Sequence, residues 1–160
     1  MDTIRWLWEF QAWARPRLLG ALENVPEERL RAAGLIAGGQ YGGSVLGTLV
    51  HLVDVEATWL ARWTGSTEAP EPDPAHLAHL GGVSRHWKRV EDERAEFLAT
   101  LTEMDVDRPA VAGAKVTLGQ ALLHVSNHTS HHRAEICVGL TALGSPPPGF
   151  DVMDFVRGGT

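Results

Sequence analysis

The stretch from Thr117 to Gly144 carries both ends of a helix in its own sequence, and its length constrains everything else the chain can do. Thr117 and Gln120 form the S/T-x-x-E/Q pattern of a capping box. Apolar residues then recur at helical spacing to Leu143, and Gly144 followed by "SPPPG" stops the pattern. About 26 residues at 1.5 Å each make a rod of roughly 39 Å. A rod that long buries its apolar stripe only against other helices of similar length.

The sequence supplies three more. Ile4, Leu7, Trp8, Leu18, Leu19 and Leu22 share a helical face over residues 3–22, with Asp2 in the N-cap position. Pro16 falls inside that pattern and marks a place for a kink or a split. "ENVPEERL" reads as a turn entering a short helical piece, and "GLIAGGQYGG" as a flexible connection. Ser44 caps a second long helix that runs to about Trp63. Ser84 opens a third, striped by Trp87, Val90, Phe97, Leu98 and Leu101. Between them, "GSTEAPEPDPAHLAHLGG" is Pro-rich and acidic, a long loop within one domain. "KVT" before Thr117 is at most a fragment of strand. The expected fold is all-α, a four-helix bundle forming a single domain over residues 1–160.

With 160 residues, 44% hydrophobic and 21% charged, the chain can bury a core without disulfides or metal. Its one cysteine, Cys137, excludes an internal disulfide and points to a reducing compartment. "MDTIRWLWEF" lacks the basic start and apolar core of a signal peptide, and no run of 18 apolar residues occurs. The expected location is cytoplasmic, with no membrane partner. A net charge of −6 without a basic tract argues against nucleic acid and leaves small molecules as partners.

Four of the eight histidines fall within "HVSNHTSHH", residues 124–132 of the last helix. With His128 at zero on a helical wheel, Leu118, Leu122, Val125, Ile136, Leu140 and Leu143 cluster between roughly 60° and 120°. His132 falls at about 40°, His124 at about −40° and His131 at about −60°. His128 and His132 therefore border the core one turn apart and can converge on one ion, while His124 and His131 tend toward solvent. Cys137 lies nearly opposite and is not expected as a ligand. His51, on the margin of the apolar arc Leu52, Val55, Trp59 and Trp63, is the best third ligand. His76, His79 and His86 lie in or beside the Pro-rich loop, where titrating surface residues are the simpler account.

Glu56 falls among Val45, Leu49, Leu52 and Trp63 on its wheel, so a carboxylate is expected inside. Burial of an unpaired charge costs several kcal/mol, which requires an arginine, a histidine N–H or a metal nearby. Orientation of a metal-binding histidine would suit it. Trp6, Trp8, Trp13, Trp59 and Trp63 read as core packing.

"HLVDVEATW" followed by "HVSNHTSHHRAE" resembles the DinB-like superfamily, the DinB/YfiT group of metalloenzymes, with "NHTSHHR" similar to its NH-x-x-HHR signature. The terminal "DVMDFV" is similar to the family's closing segment. The resemblance implies a four-helix bundle, a homodimer, and a divalent-metal site formed by His51, His128 and His132. Where the family commonly continues with Gly-Gln, this chain has Ala134 and Glu135. Glu135 falls at about −20° on the wheel, close enough to the histidines to be an extra ligand or a base. Arg133 is a further candidate in the site's surroundings, or a partner for Glu56.

Three neutral imidazoles leave coordination positions open on a divalent ion, as in catalytic sites. Zn suits such a set first, with Ni, Fe and Mn as alternatives. Related family members imply a transferase that uses a low-molecular-weight thiol such as bacillithiol, mycothiol or glutathione against an electrophilic small molecule. The alternatives are a metal-dependent hydrolase of small acyl or amide substrates, and a noncatalytic metal-bound ligand-binding or stress protein. The absence of H-E-x-x-H argues against a thermolysin-like protease, and that of Glu-x-x-His against a ferritin-like di-iron centre.

Overall fold

The structure, a computed structural model, describes residues 1–65 and 79–158. Among these residues six α-helices follow one another: α1 (Asp2–Glu23), α2 (Glu27–Leu30), α3 (Val45–Thr64), α4 (Leu80–Thr100), α5 (Leu118–Ala142) and α6 (Val152–Val156). The four long ones, α1, α3, α4 and α5, form the bundle. Among the described residues there is no strand; "KVT" contributes only an isolated bridge between Pro109 and Thr117. No described helix is long and apolar enough to cross a membrane.

Side-chain pairings fix the helix directions. Arg15 meets Glu91 while Arg5 reaches the carbonyls of Leu98 and Leu101, so α1 and α4 are antiparallel. Glu56 meets Thr129 and Trp59 meets His124, so α3 and α5 are antiparallel as well. Glu56 also meets Trp87 and Arg94, and Trp63 stacks on Phe97, which makes α3 and α4 parallel. The order is up-down-down-up, and a parallel neighbouring pair demands one long connection. That requirement accounts for the long sequence separation between α3 and α4. Residues 66–78, which include His76 and most of the Pro-rich stretch, lie outside the described residues.

The core has two apolar parts. Leu18, Leu22, Val45, Leu49, Ile136 and Leu140 belong to one, and Ile4, Trp8, Trp63, Leu98, Leu118 and Leu122 to the other. Between them lies a layer of buried polar side chains: Gln11, Glu56, Arg94, Ser126, Thr129, His132 and Arg133. This layer is where the candidate site is built.

Several local expectations are corrected. α1 passes through Pro16 without breaking, because Leu18, Leu19 and Leu22 are buried against Ile136 and Leu140 and hold its last turns in place. Tertiary packing outweighs the lost backbone bond. Met1, not Asp2, is the N-cap, and its ammonium bonds Glu103. The "GLIAGGQYGG" segment is pinned rather than flexible: Ile36 is 4% exposed, and its N–H donates to the Gly43 carbonyl at 2.9 Å. Gly43 has φ +71°, and a Cβ there would lie 2.3 Å from the Ile36 carbonyl oxygen.

α4 begins at Leu80, four residues before Ser84. Its first amide, that of Leu80, donates to Glu27 Oε2 at 3.1 Å, and His79 Nδ1 lies 2.9 Å from Oε1 of the same carboxylate. Hydrogen bonding to His79, then to Arg31 and the Leu80 amide, holds Glu27 down to about 2. The cap comes from 53 residues away in sequence, so no local pattern announces it.

α5 follows its sequence closely. The Thr117 N–H donates to Gln120 Oε1 at 3.0 Å, and the Gln120 N–H to Thr117 Oγ1 at 3.2 Å. At the other end Gly144 takes φ +72°, with the Ser145 N–H on the Leu140 carbonyl and the Gly144 N–H on that of Thr141. These are the paired bonds of a Schellman ending, which needs a left-handed residue at Gly144.

Candidate metal centre

His51 comes from the second turn of α3; His128 and His132 come from successive turns of α5. Because the helices are antiparallel and adjacent, the three rings meet across their seam. Ring centroids are 5.2 Å apart for His51–His128, 4.7 Å for His51–His132 and 4.3 Å for His128–His132. One ligand nitrogen from each lies within 4.8 Å of the others. His132 is buried, and His51 and His128 are partly so.

The donor set fits a divalent ion. His128 Nε2 and His132 Nε2 face each other at 3.1 Å. Tetrahedral zinc with bonds of about 2.05 Å would place two nitrogens about 3.3 Å apart. His132 Nδ1 lies 2.7 Å from Glu135 Oε2. An Nδ1–H donating to that carboxylate leaves Nε2 with its lone pair directed at the cluster, the tautomer that metal-binding histidines need. Burial, followed by the neighbouring His132 and His51, holds His128 down to about 4, and burial also lowers His51. Both rings are therefore neutral near pH 7 and have nitrogen lone pairs to offer.

Glu135 Oε1 lies 3.2 Å from Nε2 of the exposed His131, so the carboxylate bridges two histidines. His124, also exposed, packs edge-on against Trp59 at 6.1 Å and lies 6.2 Å from His128. Arg133 is drawn into the core: it donates to Gln11 Oε1 at 2.5 Å and lies over the rings of Phe10 and Phe150. Desolvation lowers it to about 10.

Glu56 is 2% exposed and fully engaged away from the histidines. Arg94 and Trp87 Nε1 donate to its Oε2, the latter at 3.2 Å, and Thr129 Oγ1 donates to its Oε1 at 2.7 Å. Its arginine is Arg94 of α4, not Arg133. The signal for Arg94 was available, since it falls among Trp87, Val90 and Leu98 on the buried face of α4, the same anomaly that singled out Glu56. Asp54, one turn beyond His51, was also passed over; its Oδ1 is buried without a hydrogen-bond partner, and burial raises its carboxyl.

His79 is exposed and serves α4 as described. His86 corrects the surface reading: it lies inside α4 and is 4% exposed, because it falls on the face that also buries Val83, Trp87 and Val90. Cys137 is absent from the cluster, and burial pushes its thiol up.

Comparison with known proteins agrees with this architecture. The profile of the DinB family matches residues 2–158. No curated protein matches the chain.

Proposed function

The chain belongs to the DinB family, and from that premise we propose that it is a divalent-metal-dependent enzyme, a transferase joining a small thiol to an electrophilic substrate. The observation that carries the metal is the meeting of His51, His128 and His132 with ligand nitrogens within 4.8 Å. Zn is the first choice, with Ni, Fe and Mn as alternatives. A bound ion would supply Lewis acidity that favours the ionised form of a thiol at neutral pH.

The chain's own groups do the rest. His51, His128 and His132 hold the ion as neutral ligands, and Glu135 fixes the tautomer and plane of His132. The nucleophilic sulfur has to come from outside, because Cys137 is the only thiol in the chain and its burial disfavours the thiolate. That favours a diffusible thiol such as bacillithiol, mycothiol or glutathione over an enzyme-bound one. The family resemblance further suggests a cytoplasmic homodimer.

The test is metal content by mass spectrometry on untagged protein, beside His51→Ala and His128→Ala, followed by turnover of a thiol with a chromogenic electrophile. Near-stoichiometric metal in the wild type, lost in both variants, with turnover needing both metal and thiol, is the expected result. Metal-dependent ester hydrolysis without thiol would replace the transferase with a hydrolase. Absence of metal uptake on adding Zn or Ni would overturn the site itself.

A further inference from the structure

His132 faces two groups of side chains, one through each ring nitrogen. Its Nε2 is turned to His128 at 3.1 Å, and its Nδ1 to Glu135 Oε2 at 2.7 Å. Beyond that carboxylate stands His131, whose Nε2 lies 3.2 Å from Oε1. His131, His132 and Glu135 each offer a ligand atom, all within 4.8 Å of one another. Helical spacing makes this possible, because Glu135 lies one turn beyond both histidines, at i+4 from His131 and i+3 from His132. Two donors on tetrahedral zinc lie about 3.3 Å apart, so contacts of 2.7 and 3.2 Å are close to those of a coordinated set. The side chains of His131 and Glu135 are 64% and 25% exposed. An ion reaches them from solvent without disturbing the core and keeps water in its remaining positions.

We propose that His131 Nε2, His132 Nδ1 and Glu135 form a second divalent-cation site on the outer side of His132, binding zinc more weakly than the inner cluster of His51, His128 and His132. With the inner site filled, His132 bridges two ions as an imidazolate, and its Nδ1 proton leaves to solvent. The cost of that proton makes the outer site the weaker one. With the inner site empty, the ring carries its proton on Nε2 and offers Nδ1, so the outer site rests neither on the inner one nor on the reaction proposed there. Bonds of about 2.05 Å on the two sides of one ring place the ions roughly 6 Å apart. Two-metal centres that act on one substrate hold their ions about 3.5–4 Å apart. The outer ion is therefore a separate occupant, coupled to the inner one through His132 alone.

The experiment is a calorimetric titration of the chelator-stripped full chain with zinc at neutral pH, with the histidine rings followed by NMR, on the wild type, His131→Ala and His51→Ala. His131 is exposed, so its variant keeps the core intact. Two equivalents are expected in the wild type, the second with a Kd on the order of 10 μM and with its shift at the His131 ring. His131→Ala should bind the first equivalent as the wild type does and the second at least about tenfold more weakly. His51→Ala should still bind one ion at the His131 ring. A wild type that saturates at one equivalent with the His131 ring unmoved, or a His131→Ala variant that binds both equivalents unchanged, would overturn the proposal. One equivalent in the wild type and in His51→Ala, with none in His131→Ala, would uphold the outer site and overturn the inner one.

Discussion

Glu56 and His51 lie five residues apart on α3 and both meet α5, yet one is closed and the other is open. Around Glu56 both carboxylate oxygens are taken, by Arg94, Trp87 and Thr129, and neither Glu56 nor Arg94 is more than 5% exposed. Around His51 two imidazole nitrogens face each other at 3.1 Å, and His128 Nδ1 is buried without a partner. The same helix seam thus holds a finished polar knot and an unfinished one. The finished knot joins α3, α4 and α5, whereas the unfinished one leaves nitrogen lone pairs that could hold a metal ion.

The contrast breaks first at Arg94. Arg94→Met strands a buried carboxylate, and urea denaturation should register a loss of about 3–5 kcal/mol. Adding Glu56→Gln should recover much of it, since the uncompensated charge is then gone. A stable single variant would mean that the knot is not a charged pair.

Metal should act on the open site alone. Zinc held at 100 times its Kd should stabilise the wild type by about 2.7 kcal/mol, seen as a rise in Tm that chelator reverses. His128→Ala should lose this rise while its metal-free stability changes far less than that of Arg94→Met. If both knots respond equally to zinc, the distinction fails.

A finer test separates the ligands from their support. Glu135→Gln should weaken metal binding roughly 10–100-fold by calorimetry, while metal-free stability stays within about 0.5 kcal/mol. Unchanged affinity would reduce the Glu135 contact to a surface pairing.

The open site should also show itself in pH. His128 is held at about 4 in the folded protein against an ordinary value of 6.5. Its lowered pKa means that the unfolded chain binds the proton more readily, so stability is retained above about 6.5 and lost as pH falls toward about 4. Metal-free wild type should show this slope in Tm, and His128→Gln should flatten that part of it. A slope identical in the variant would assign the acid sensitivity to other groups.

Much of the fold is legible locally. Thr117, Gln120 and Gly144 write the ends of α5, and Ser44 writes the start of α3 through its bond from the Gly47 N–H. Of the candidate site, the inward lean of His128 and His132 follows from 3.6 residues per turn, and the structure places His51 opposite them. The start of α4 was missed because Glu27, far away in sequence, caps it. The integrity of α1 was missed because Ile136 and Leu140 of α5, across the bundle, pack on Leu18 and Leu22 and hold the helix through Pro16.

By itself, then, the sequence determined which segments are helices, which faces are apolar and which polar residues fall on those faces, because these depend on neighbours within a turn or two. Only the tertiary structure decided that Glu56 pairs with Arg94 rather than Arg133, that Glu135 orients His132, and that His86 is buried in α4. Those outcomes depend on helix direction and register, which arise when whole helices pack and which no local window of sequence contains.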